Sequence, residues 1–103
     1  MRMLLDVTCP HEPFNTAVRK GTVGEIIKKI LEAIKPEAVY FTEQEGRRGA
    51  ILVVNIDNPS QIPALAEPWF LAANARVEFF PVMRPEDLAK AGPSVEAAVK
   101  KYG

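Results

Sequence analysis

The chain has 103 residues, with 48% apolar and 25% charged positions, which suits one globular domain with a single core. Lys plus Arg and Asp plus Glu are 13 each, so there is none of the basic excess that marks proteins of nucleic acid or anionic membranes. One cysteine, Cys9, excludes an internal disulfide and any metal site built of cysteines alone. The opening Met1-Arg2-Met3-Leu4-Leu5-Asp6 meets an acid too early for a secretory leader, and no apolar run reaches membrane-spanning length. The expectation is a soluble cytoplasmic protein of one domain, residues 1–103.

Residues 2–8 form a short apolar run closed by Cys9-Pro10 and predict a strand. Pro10 to Gly21 reads as a polar loop. Thr22-Val23-Gly24-Glu25 has the spacing of a capping box. Behind it Val23, Ile26, Ile27, Ile30, Leu31 and Ile34 recur at helical spacing until Pro36. Glu37 to Glu43 and Ala50 to Ile56 predict two strands of a hairpin turned at Gly46–Gly49. Asn58 and Pro59 open a second helix, with Ile62, Leu65, Ala66 and Trp69 as its buried stripe and a break expected at Pro68. Arg76 to Val82 predicts a fourth strand, which Pro81 confines to a sheet edge or to its own end. Two short helical pieces follow, Pro85 to Ala91 and Pro93 to Tyr102.

This order is β-α-β-β-α-β plus a helical tail, with residues 1–83 as core and 84–103 as tail. It predicts an α+β, ferredoxin-like fold with an antiparallel four-stranded sheet in the order 4-1-3-2 and both helices on one face. The other face should then be polar. Instead Ile51 and Val53 oppose Leu52, Val54 and Ile56, and Val77 and Phe79 oppose Phe80 and Val82. Two apolar faces need two covers. A second copy of the sheet, packed face to face about a two-fold axis, supplies the missing one. The alternative cover is the C-terminal tail folded back.

The plan, the apolar second face and the stretches Glu67-Pro68-Trp69-Phe70 and Val77-Glu78-Phe79-Phe80-Pro81-Val82-Met83 resemble the dimeric α+β barrel superfamily, in particular its small bacterial families of unassigned function. The Pro-x-Phe stretch before the last strand is faintly similar to muconolactone isomerases. The resemblance implies a homodimer whose two sheets enclose a lumen, which in catalytic relatives holds a small substrate. No catalytic motif carries over residue by residue.

Candidate chemistry is sparse. Asp6 interrupts the apolar first strand, and Glu78 lies on the strand expected beside it. Two carboxylates in a partly apolar cavity are a way to make one acid and one base, which together move a proton next to a carbonyl. The bland reading is a structural ion pair, for instance with Arg76. His11, the sole histidine, is a third catalytic candidate. Thr8, Tyr40, Thr42, Phe80 and Trp69 are candidate ligand contacts. Cys9 with His11 lacks the rest of a cysteine-nucleophile signature, and Cys9, His11 and Glu12 are too crowded around Pro10 for a metal. Arg48-Gly49 at the start of the third strand has an RNA-binding counterpart, but Ala50, Leu52 and Asn55 stand where stacking aromatics are needed. Arg47 and Arg48 read more simply as a solvated hairpin tip. No glycine-rich phosphate loop is present, so no nucleotide cofactor is expected. Two functions remain. One is a small-molecule binder or enzyme holding an apolar, oxygen-containing ligand in the lumen, with isomerase-like or cofactor-free oxidation chemistry. The other is a non-catalytic dimerisation module with a filled barrel. Whether the protein is an enzyme is not decided at this level.

Overall fold

A computed structural model describes all residues 1–103. Four strands, β1 (Arg2–Thr8), β2 (Ala38–Gln44), β3 (Arg47–Asn55) and β4 (Arg76–Pro81), form one antiparallel sheet in the order β2-β3-β1-β4. Read from the β4 edge, the same sheet is β4-β1-β3-β2. Five helices accompany it: α1 (His11–Lys20), α2 (Val23–Ile34), α3 (Ile62–Ala73), α4 (Pro85–Lys90) and α5 (Gly92–Tyr102).

The core lies between one sheet face and α1–α3. Met3, Leu5 and Val7 of β1 alternate toward it with Ala50, Leu52 and Val54 of β3, and all six are 5% exposed or less. From the helices, Phe14, Ile30, Ile34, Leu65, Trp69 and Ala73 complete the cluster. The alternation read from the sequence therefore selects the faces: every second strand residue is committed to the helices, and its neighbours are committed to the opposite side.

Several expectations are corrected. The Pro10–Gly21 segment is a helix, not a loop. Glu12 has extended geometry and its carboxylate accepts from the Thr16 N–H at 3.2 Å and from the Thr16 hydroxyl at 2.7 Å, while Pro13 begins the helical run. Phe14 and Ala17, three apart, bury its inner face, and Gly21 ends it at φ +72°. The capping box at Thr22 does not form; its hydroxyl turns back to the Ala17 carbonyl at 3.4 Å. The hairpin turns at Glu45-Gly46, both at positive φ, so Arg47, Arg48 and Gly49 belong to β3. Asn58 does cap, accepting from the Ser60 N–H at 3.0 Å, but it opens a 3-10 turn over Pro59–Gln61 that runs into α3.

Pro68 does not break α3, which is continuous through Ala73. The buried stripe Leu65, Ala66, Trp69 and Ala73 straddles the proline and holds both halves of the helix on the sheet. Burying four such side chains outweighs the roughly 3 kcal/mol that an interior proline costs.

The tail does not fold back. Neither α4 nor α5 buries a residue, and Leu88, Val95, Val99 and Tyr102 are exposed. The molecule measures 60 × 29 × 20 Å and its radius of gyration is 17.5 Å. A compact chain of this size has about 13 Å, so α4 and α5 form an arm that projects from the body.

Candidate functional site

The sheet face away from α1–α3 is uncovered, and the register lays it out in three rows. The first, reading β2 to β4, is Ala38, Val53, Leu4 and Phe80. The second is Tyr40, Ile51, Asp6 and Glu78. The third is Thr42, Gly49, Thr8 and Arg76. Six of the eight sequence-selected residues thus share one face: Asp6, Glu78, Tyr40, Thr8, Thr42 and Phe80. Antiparallel registry brings them together from three strands that are distant in sequence.

Asp6 stands at the centre of the face, between Ile51 on β3 and Glu78 on β4. Its Oδ1 is buried and has no hydrogen-bond partner. An unpartnered buried carboxylate oxygen is costly, and a like charge directly opposite adds to that cost. Glu78 is better served, because Arg76, two residues along the same strand, approaches it at 3.4 Å. Both members of that ion pair are about half exposed, which limits its contribution to stability to at most about 1 kcal/mol. The bland reading of Glu78 as an ion-pair partner of Arg76 therefore describes Glu78 and leaves Asp6 unexplained.

Tyr40 is 66% exposed, and Ile51 separates it from Asp6. Two strand spacings, about 9–10 Å, lie between their backbones. That leaves room for a small molecule on Ile51 with a hydroxyl at one end and a carboxylate at the other. Leu4 and Phe80 form the apolar wall beside it, with Phe80 43% exposed. In the third row the missing side chain of Gly49 leaves a notch. Gln44 fills it and takes a hydrogen bond from the Thr8 hydroxyl at 3.1 Å, so Thr8 is 6% exposed and already satisfied. Thr42 is exposed. Gln44, Leu4, Ile51 and Val53 were not among the candidates read from the sequence, although alternation from Asp6 reaches Leu4 and alternation from Tyr40 reaches Gln44.

Two predicted site residues are elsewhere. His11 is exposed at the start of α1, in a shallow cleft of about 230 Å³ with Glu43, Gly46, Arg47 and Arg48. The polypeptide leaves β1 at Thr8 and turns onto the helix side, which carries His11 away from the Asp6 row. Trp69 is 1% exposed and packs between α3 and the sheet, on the face opposite Asp6. Cys9 is buried on that side too, and burial pushes its thiol above the ordinary value of 9.0 despite the Arg48 charge. No three His, Cys, Asp or Glu side chains converge as metal ligands, and no helix is long and apolar enough to cross a membrane.

Neither protein-family models nor curated proteins yield a match to this chain.

Proposed function

We propose that the protein works as a homodimer in which two uncovered sheet faces meet and enclose a small, apolar, oxygen-containing molecule. The observation that carries this reading is the buried, unpartnered Oδ1 of Asp6 at the centre of the uncovered face, beside the apolar row of Val53, Leu4 and Phe80. An exposed surface built on Leu4, Ile51, Val53 and Phe80 calls for a cover, and the arm of the same chain is directed away from it. A carboxylate left without a partner inside such a cover is suited to hold or take a proton.

In this reading Asp6 takes a proton from a carbon next to the ligand's carbonyl, and Tyr40 donates a hydrogen bond to the oxygen on which charge develops. Asp6 then returns that proton at another carbon, so the carboxylate ends the cycle as it began. The sum is an isomerisation with no net redox change. The resemblance to the dimeric α+β barrel superfamily supports the same assembly.

Solution mass by light scattering, over a wide concentration range, tests the assembly. A stable dimer that Val53→Lys converts to a folded monomer supports it, since Val53 points away from the helix-side core. A monomeric parent protein overturns it. Ligand-induced thermal shifts then separate a binder from a dimerisation module: a lumen filled by side chains gives a dimer with no shift for any small carbonyl compound.

A further inference from the structure

The helix side of the sheet contains a cavity of about 300 Å³ that neither the Asp6 row nor the proposed dimer uses. Its walls are mostly apolar and include Phe14 and Val18 of α1, Ile27 of α2, Phe41 of β2 and Trp69 of α3. A space of that size is at the lower end of small-molecule sites. The alternation of β2 explains half of it. Val39 continues the sheet's packed layer opposite Leu52, whereas Phe41 stands opposite Ala50, whose methyl group leaves the space above it unfilled.

Two polar groups lie at this cavity, one closed off behind its wall and one on it. The Nε1–H of Trp69 is buried and has no acceptor. A buried indole N–H normally finds one, and leaving it unpaired costs about 1–3 kcal/mol. The second group is the Arg48 guanidinium. Sequence reasoning placed it at a solvated hairpin tip, but it is half-buried and lines the cavity. Its Nη1 donates to the side-chain oxygen of Asn15 at 2.7 Å, and it belongs to none of the four ion pairs. Glu12, close enough to feel its charge, is engaged by Thr16 and Arg19. Glu43, the cross-strand partner of Arg48, makes no ion pair with it, so Asn15 on α1 holds a cation at the edge of the cavity without neutralising it.

We propose that this cavity binds a small apolar monocarboxylate. Its carboxylate meets Arg48 and its body lies against Phe14, Val18 and Phe41. Guanidinium–carboxylate geometry accounts for the head group, since a planar fork of donors pairs with two oxygens at once. The apolar walls exclude a sugar or a nucleotide. The site stands on the opposite sheet face from Asp6, so it does not depend on the proposed open-face chemistry.

Trp69 is the only tryptophan, so its emission reports the site directly. The full chain is titrated with 3-benzoylpropanoate, 3-phenylpropanoate and decanoate, and with the methyl ester of each. The expected result is a saturable change in Trp69 emission with at least one acid at a Kd below about 1 mM. Its ester should bind about tenfold more weakly, as should the acid to Arg48→Gln. Val18 is 47% exposed, so Val18→Phe narrows the cavity from a position where folding is not at stake, and it should abolish the change. Asp6→Asn should leave the titration unaltered. The proposal is overturned if no acid saturates, or if acid and ester bind alike to both the parent protein and Arg48→Gln.

Discussion

Asp6 and Glu78 are direct cross-strand partners on β1 and β4, side by side on the sheet face that α1–α3 leave open. Two carboxylates in that relationship repel, and Arg76 attends only one of them. Such an arrangement lowers stability, and sites that do work commonly carry a cost of this kind.

Removing one charge should therefore stabilise the fold. Asp6→Asn is expected to raise the unfolding free energy by about 0.5–1 kcal/mol, because cross-strand like charges destabilise by that order. Glu78→Gln should gain less, since it also loses Arg76. The double variant should fall short of the sum, as coupled neighbours do. Urea denaturation of the three variants measures this. A loss of several kcal/mol for Asp6→Asn would instead mark Asp6 as half of a buried ion pair.

Gly49 is a point of close approach. A Cβ there would stand 2.8 Å from the Val7 carbonyl oxygen and 3.2 Å from the Gln44 amide nitrogen. Gln44 can yield but the Val7 backbone, in the central strand, cannot. Gly49→Ala is expected to cost about 1–3 kcal/mol and to release the Thr8 hydroxyl from Gln44. Thermal unfolding and the amide exchange of β1 and β3 follow both effects. An unchanged melting temperature would rule the close approach out.

Pro68 sits inside a helix that packing keeps whole. Replacing it by alanine restores a backbone donor and removes the ring's clash with the preceding turn. Against this stands a gain in unfolded-chain entropy of about 0.4–1 kcal/mol. Pro68→Ala should still stabilise by about 1–2 kcal/mol. Chemical denaturation gives the value, and a destabilised variant would show that the helix geometry here is already adapted to proline.

Two groups shape the pH dependence in opposite directions. The Glu12 carboxyl is held below its ordinary value of 4.5, first by the Thr16 hydroxyl. A lowered carboxyl value means stability that is present above 4.5 and lost as pH falls through the folded value. Glu12→Gln should remove this acid-side component from α1, seen as a smaller change in helical circular dichroism between neutral pH and pH about 3. The Cys9 thiol is raised above 9.0 by burial, so its contribution is complete below 9.0 and declines as pH climbs through the folded value. Alkaline titration of the parent protein against Cys9→Ala should show a steeper fall for the parent. Alkylation of Cys9 in the native state should be slow until the chain unfolds.

Periodicity made much of this protein readable without coordinates. The apolar spacing from Val23 to Ile34 has only one regular solution, and so does the alternation of Met3, Leu5 and Val7 with Leu4, Asp6 and Thr8. That parity set Asp6 apart from Met3, Leu5 and Val7, as the fourth strand's parity set Phe80 apart from Phe79, whereas the face taken by Tyr40 on the second strand was left open until its register with Ile51 was known. It works because side-chain direction in a strand or helix is a local property of the backbone.

What the tertiary structure alone decided depended on contacts between distant segments. Registry between β1 and β4 made Asp6 and Glu78 partners, and no single strand contains that information. Packing under Leu65, Trp69 and Ala73 carried α3 through Pro68, and burial of Phe14 and Ala17 turned an apparent loop into α1. Those helices, closing over Ala50, made the cavity that holds Trp69 and Arg48. The sequence determined which faces are apolar; which apolar faces find a partner within the chain was settled by long-range packing, and it left the open sheet face and the α4–α5 arm uncovered.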